Sequence, residues 1–354
     1  MLYIRTDANK EIAAGHVMRC IAIADALRLL GEDSVFIVSE QDAVKLIQER
    51  GFRYLLIDGI SNNLDYEIAT FKKIIEQKNI KKLLIDSYFI TDNYLRNIPK
   101  HVYTIYLGSL KEKFSGIDLL INYSNTYDAK FYEDNYQKEG VNTLLGVKYA
   151  PLRKEFQDLK PINNNSVKNL LITTGSTDKD NVTLKIIEYL INDILFKDIK
   201  INAVIGSLNN HYDDIKKFKS NFSNIVLHSN VKSMANLIRK NQLAISAAGT
   251  TLFELCACGV PTVSFSLVKE QKMDALKFSS DGIIPYSGSF MDDNTDKTTL
   301  SKIKEILINY IIDSDLRNEK SIEMTEYIDG NGSMRIANEI FSLNREQKLW
   351  RLWC

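Results

Sequence analysis

The sequence is short of several features that would decide its class quickly. It holds four cysteines in 354 residues, Cys20, Cys256, Cys258 and Cys354, and their spacing does not read as a disulfide framework. Cys256 and Cys258 are too near each other to pair in an ordinary way, and no Cys/His group with zinc spacing accompanies them. Cys20 and Cys256 fall on apolar helix positions, where free cysteine acts as a small hydrophobe. The expectation is a reducing, cytoplasmic compartment and no metal. Net charge is also lacking, because 45 Lys+Arg balance 45 Asp+Glu. A broad nucleic-acid surface needs a basic excess, so no nucleic-acid partner is expected, although a local anion site is compatible with the balance. No apolar run reaches the length of about 18 residues that a span requires, so no integral membrane association is expected. The opening "MLYIRTDANK" reads as a strand entering a polar loop, not as a signal peptide. No Gly-x-Gly-x-x-Gly and no Walker ending stand at the strand-to-helix turns, which weighs against a nicotinamide enzyme; no cofactor is expected.

What is present is a βα alternation. Hydrophobic residues make up 45% and charged residues 25%, which fits a globular chain long enough for two domains of roughly 150 residues. The runs "LYIRT", "SVFIVS", "RYLLI", "KKLLID", "VYTIYL" and "IDLLIN" read as strands, most of them apolar on both faces, as strands of a helix-covered parallel sheet must be. In the opening helix Val17, Ile21 and Ala24 share a stripe that Cys20, Ile23, Leu27 and Leu30 extend, and Gly31 is a good stop. From Tyr149 to Val167 the alternation lapses into a polar stretch with two prolines and an Asn-Asn-Asn-Ser run, a linker signal. It restarts with "NLLITTGSTD", followed by "KINAVIG", "NIVLHS", "QLAISAAG" and "PTVSF". The expected fold class is α/β, with two Rossmann-like parallel-sheet domains over residues 1–155 and 166–330 facing one cleft. A helical tail over 331–354 is expected to pack back through Trp350 and Trp353. Oligomeric state is not readable.

In open parallel sheets ligands bind beyond the carboxyl ends of the strands, where loops run into helix N-termini. Five such turns carry polar or glycine residues. In "RTDANKEIAAGHVMR", Gly15-His16 opens the first helix. The helix dipole disfavours a positive charge there, which favours a neutral imidazole able to accept a proton. Arg19, one turn on, can hold an anion. The plainer alternative is a histidine that only caps its helix. In "TTGSTDKDN", Gly175, Ser176 and Thr177 can cradle a phosphate beside helix amides, or the turn is simply a cap built on Asp178. In "AAGTTLFELCACGVPTV", Gly249, Thr250 and Thr251 offer amides to a diphosphate, and Glu254 offers a carboxylate to a diol. Alternatively Thr251-x-x-Glu254 is a capping box. In "LVKEQKMDA", Glu270 and Gln271 start another helix at the same edge, where acidic residues are favoured in any case. In "LLIDSYF", Asp86 and Tyr88 end a buried strand, and Tyr88 can equally well pack.

Taken together, "IAAGHVMRC", "LLGVKYAPLRKEF", "TTGSTDKDN", "AAGTTLFELCACGVPTV", "EQKMDA" and "IDGNGSMRIANEI" resemble the UDP-sugar hydrolases of pseudaminic acid biosynthesis. These belong to the GT-B superfamily, with the lipid II-forming N-acetylglucosaminyltransferase as a relative. The resemblance runs from Met1 to about Phe341. It implies metal-independent, inverting hydrolysis of a UDP-activated 2,4-diacetamido-2,4,6-trideoxy sugar by water attack at C1. It further implies that His16 is the base and that Glu254 binds the uridine ribose. Two places depart from the family pattern. Ala13 stands where the family has the first glycine of Gly-x-Gly-His, and Thr174-Gly175-Ser176-Thr177-Asp178 replaces a Gly-Gly-x-Asp loop. The rival readings are a GT-B glycosyltransferase with a UDP-sugar donor and a nucleotide-sugar-binding protein without catalysis.

Overall fold

The apolar runs pair as two separate parallel sheets. The computed structural model describes residues 1–9, 12, 14–163, 165–206, 208–291 and 293–343. Trp350 and Trp353, like Ala13, lie outside the described residues. The chain divides into one unit of Met1–Lys154 with the segment from Asn331 onward, and another of Glu155–Gly330.

The first unit contains β1 (Leu2–Thr6), α1 (Gly15–Leu29), β2 (Ser34–Val38), α2 (Gln41–Glu49), β3 (Arg53–Leu56), α3 (Ile68–Gln77), β4 (Lys82–Asp86) and α4 (Asp92–Arg96). It continues with β5 (Tyr103–Leu107), β6 (Leu119–Asn122), α5 (Ala129–Asn135) and β7 (Asn142–Leu145). The sheet order is β3-β2-β1-β4-β5-β6-β7, all parallel. Alternate strand residues serve opposite faces. Leu2, Ile4, Phe36 and Leu84 pack against Val17, Cys20, Ile21 and Leu27 of α1. Ile37, Leu83, Ile85 and Tyr106 pack on the other face with Phe71, Ile75 and Tyr94 of α3 and α4.

The second unit contains β8 (Asn169–Thr173), α6 (Val182–Ile191), β9 (Lys200–Val204), α7 (Tyr212–Lys219), β10 (Ile225–His228), α8 (Met234–Ile238) and β11 (Leu243–Ala247). It continues with α9 (Thr251–Cys258), β12 (Thr262–Ser266), α10 (Lys269–Ser280), β13 (Tyr286–Ser289), α11 (Asp293–Ile312) and α12 (Ser314–Tyr327). Its order is β10-β9-β8-β11-β12-β13, again parallel. In both units the strand order reverses beside the first strand, between β1 and β4 and between β8 and β11. Such a reversal leaves a crevice at the carboxyl edge, because successive connections leave on opposite faces.

Two strands escaped the sequence reading. β7 is four residues long at the edge of its sheet, too short to show a period. β13 is "YSGS", a polar edge strand without an apolar run. Among the described residues no helix is long and apolar enough to cross a membrane.

The chain returns to the first unit through "DGNGS". α13 (Gly332–Ser342) then buries Ile336, Ala337 and Ile340 in the core shared with α1. Backbone approach explains both glycines. A Cβ on Gly330, which has φ +78°, would lie 2.0 Å from the Phe156 carbonyl oxygen, and one on Gly332 would lie 2.1 Å from that of Ala150. Those oxygens belong to main chain and cannot swing aside. Gly332→Ala is therefore expected to destabilise the protein by about 3 kcal/mol or more, at the upper end of overpacking costs. A thermal melt within a degree of wild type would contradict this account of the turn.

Candidate functional site

In the first unit the reversal brings the β1–α1 turn beside the end of β4, where Thr6 pairs in register with Asp86. His16 stands in the first turn of α1, whose N-cap Ala14 supplies no side-chain cap. A Cβ on Gly15 would meet nothing within 4 Å among the described residues. His16 Nδ1 lies 2.5 Å from Asp86 Oδ1. A carboxylate only accepts, so Nδ1 carries the hydrogen; in the neutral form of the ring that leaves the lone pair on Nε2. Nε2 is buried and has no hydrogen-bond partner among the described residues. The ring of Tyr88 stands edge-on to the imidazole, with centroids 4.3 Å apart at 90°. Tyr88 is 51% exposed whereas His16 is 4% exposed, so the tyrosine forms the outer wall over the histidine. A small pocket is lined by His16, Asp86, Tyr88, Phe89, Ile12 and Arg5 among others.

Two expectations change here. Arg19 is not available to hold an anion. Its Nε donates to Asp86 Oδ2 at 2.6 Å, its Nη2 donates to Asp86 Oδ1, and its Nη1 donates to Tyr123 Oη at 2.8 Å. Asp86 is likewise engaged by the protein itself. It is buried, with its two oxygens taken by Arg19, His16 and the Cys20 thiol at 3.4 Å. Burial alone would raise the Asp86 pKa, but Arg19 and His16 outweigh it and hold the carboxyl well below its ordinary value. The helix dipole was the sequence-level reason to expect a usable imidazole; in the structure a carboxylate from the neighbouring strand orients the ring.

Beneath this group lies a second charged cluster that sequence reasoning missed. Arg5 is buried on the face opposite α1 and forms a fork with Glu67, Nε to Oε1 at 2.6 Å and Nη2 to Oε2 at 2.8 Å. Arg5 Nη1 also reaches Asp7 and the Thr6 carbonyl, and Tyr94 Oη donates to Glu67 Oε1 at 2.8 Å. Asp7 accepts from the Ser39 and Glu40 amides at 2.7 and 3.1 Å, which ties the end of β1 to the turn after β2. The available signal was a charged residue inside an otherwise apolar strand.

In the second unit the reversal sets the turns after β8 and β11 side by side. After β8, Gly175 adopts φ +88° and is exposed, with Ser176 and Thr177 half-buried beside it. The helix amides expected to help them are taken. Asp178 is buried and accepts from the Val182 and Thr183 amides at 2.7 and 3.1 Å, so a carboxylate already fills the N-terminus of α6. After β11, Gly249 and Thr250 are exposed, and Thr251 and Glu254 are half-buried. The N-cap of α9 is Thr250, one residue before the expected Thr251, and the Thr250 side chain makes no capping hydrogen bond. Gln271 joins this turn. Its Oε1 accepts from the Leu267 amide at 2.8 Å, and its Nε2 lies 4.0 Å from where a Cβ on Gly249 would stand. Glu270 is exposed in the first turn of α10, where the dipole favours it. Among the described residues no group of three His, Cys, Asp or Glu side chains gathers as a metal site.

No family model matches the chain. The UDP-GlcNAc 2-epimerase of Neisseria meningitidis, solved with UDP-GlcNAc, superposes with TM-score 0.66 at 13% identity over 97% of this chain and 100% of that one. The chain has the GT-B fold. A glycosyltransferase of Rickettsia africae matches this GT-B chain with TM-score 0.63 at 14% identity over 98% of each. Among curated sequences, an uncharacterized protein of Methanocaldococcus jannaschii is 28% identical over 98% of the GT-B chain and 67% of its own length. The UDP-N-acetylglucosamine–N-acetylmuramyl-(pentapeptide) pyrophosphoryl-undecaprenol N-acetylglucosamine transferase of Fusobacterium nucleatum is 25% identical over 70% of this chain and 74% of that one. The UDP-2,4-diacetamido-2,4,6-trideoxy-beta-L-altropyranose hydrolase of Campylobacter jejuni is 23% identical over 78% and 96%.

Proposed function

We propose that the protein hydrolyses a UDP-activated 2,4-diacetamido-2,4,6-trideoxy sugar to the free sugar and UDP, in the biosynthesis of a nonulosonic acid such as pseudaminic acid. The observation that carries this reading is the buried Nε2 of His16, which has no hydrogen-bond partner among the described residues and whose other nitrogen is held by Asp86. In the proposed step a water oxygen attacks C1 while its proton passes to His16 Nε2. The C1–O bond to the diphosphate breaks, its electron pair leaves with UDP, and the configuration at C1 inverts. Asp86 accepts from Nδ1 throughout and offsets the charge the ring gains. Tyr88 contributes a wall of the sugar pocket. Resemblance to the Campylobacter jejuni hydrolase at 23% identity supports the sugar class.

The nucleotide falls to the second unit in this reading. The amides of Gly249, Thr250 and Thr251 meet the diphosphate, where oriented N–H dipoles stabilise the leaving charge. Gln271 braces that turn, and Glu254 takes the ribose hydroxyls. Gly175, Ser176 and Thr177 contribute through their own loop groups, because Asp178 occupies the helix terminus behind them. Hydrogen bonds to a charged group contribute about 1.5–3 kcal/mol. Glu254→Ala is thus expected to weaken UDP binding by about 10- to 150-fold. The loss should shrink with 2′-deoxyuridine diphosphate. Calorimetric titration that finds equal loss for both nucleotides would remove Glu254 from the ribose.

A transferase reading keeps the same residues and directs His16 at an acceptor hydroxyl instead of water. The Fusobacterium nucleatum relative at 25% identity favours it. The readings separate in an acceptor-free assay, in which only the hydrolase releases UDP.

A further inference from the structure

We infer that Arg19 and Tyr123 are positioning residues that hold His16 in its Nδ1-protonated form by fixing Asp86. The inference rests on the reading of His16 as the base. It starts from a competition around one nitrogen. His16 Nδ1 has two neighbours of opposite character: Asp86 Oδ1, an acceptor, at 2.5 Å, and Arg19 Nη2, a donor, at 3.0 Å. Were Nδ1 unprotonated, it would accept from Arg19, and the ring hydrogen would sit on Nε2. His16 could then not take a proton from water there. A lone pair facing a carboxylate oxygen at 2.5 Å is repulsive, so the geometry as it stands selects the Nδ1–H form.

That selection depends on where Oδ1 is held. Arg19 grips Asp86 with two N–H groups in a fork, a geometry a lysine ammonium cannot reproduce. Its third hydrogen-bonded nitrogen, Nη1, is anchored by Tyr123 Oη at 2.8 Å on the turn after β6. With that anchor in place, the guanidinium plane faces Asp86 and its Nη2 hydrogen points at Oδ1. Without it, the guanidinium can rotate, Nη2 can turn toward Nδ1, and the two ring forms approach each other in population. The hydroxyl of Tyr123 thus acts on the imidazole through Arg19.

The test uses the full chain, labelled with ¹⁵N, as wild type, Tyr123→Phe and Arg19→Lys. Ring ¹⁵N shifts of His16 report which nitrogen carries the hydrogen, without reference to turnover. Wild type is expected to show the hydrogen on Nδ1. Tyr123→Phe removes one hydroxyl and is expected to show a mixture, with kcat on the UDP-sugar down about tenfold and KM unchanged. Arg19→Lys is expected to show a larger shift of both. Unaltered ring shifts in both variants would overturn the inference, and so would a raised KM at wild-type kcat, which would make Arg19 a substrate ligand. A shifted ring population in the variants, with wild type inert toward the UDP-sugar, would uphold the positioning role and reject the hydrolase reading.

Discussion

A His16→Asn protein is expected to fold, to bind UDP as wild type does, and to lose about 10²- to 10⁴-fold in kcat, the usual worth of a positioned general base. Asparagine is the informative replacement. Its side-chain amide nitrogen falls near the place of Nδ1 and can still donate to Asp86 Oδ1, so the buried carboxylate keeps a partner. What disappears is the lone pair of Nε2, the ring nitrogen that has no hydrogen-bond partner among the described residues. Glutamine would do the reverse, filling the Nε2 position and leaving Asp86 short of a donor. Steady-state kinetics with calorimetric UDP titration separate the two effects. Turnover at the wild-type rate in His16→Asn would take the histidine out of the mechanism.

The largest expected effect on stability comes from the cluster below. Glu67→Gln is expected to destabilise the protein by about 3–5 kcal/mol, because it breaks a buried ion pair from one side. Arg5 and Glu67 are 1% and 0% exposed. Neither can turn to water, and the fork between them uses both carboxylate oxygens. The introduced amide would keep one acceptor and turn an N–H toward the guanidinium. Among the described residues Asp7 would remain as the one carboxylate on Arg5, and it is shared with the Ser39 and Glu40 amides. For a unit of this size the loss corresponds to a drop in Tm of roughly 6–20 °C. Replacing both partners by apolar residues of similar volume, Arg5→Met with Glu67→Leu, is expected to recover most of it, since no charge is then stranded. A single Glu67→Gln melt that coincides with wild type would show that the pair contributes nothing.

These two clusters differ in how far the sequence discloses them. The turn bearing His16 was legible because Gly15-His16 interrupts a strand-to-helix junction before a regular apolar stripe. Asp86 and Tyr88 were legible as polar residues ending a buried strand. Their relation to His16 was not, because it depends on which strands are neighbours. β1 and β4 are brought together by the sheet order, and no local pattern separates that order from its alternatives. The same limit misassigned Arg19: a cation one helical turn from His16 reads as an anion ligand until the carboxylate beside it is known. Glu67 was passed over for a related reason: "DYEIATFKKIIEQ" reads as a helical segment in which Glu67 is one polar residue near the start, and its pairing with Arg5 depends on the fold. In the second unit, the turn after β8 carried two readings, and the fold chose the plainer one for its helix by placing Asp178 on the α6 amides. At α9 the helix begins one residue earlier than the box would place it, with Thr250 as the N-cap.

The measurement that bears most directly on the proposed hydrolysis is turnover of the UDP-diacetamido sugar in ¹⁸O water without any acceptor, with mass spectrometry of both products. Water attack at C1 predicts rapid consumption, one ¹⁸O in the freshly released sugar and none in UDP. Label in UDP would move the attack to phosphorus. A substrate that stays intact until an acceptor is supplied would contradict hydrolysis and leave a transferase that uses the same histidine.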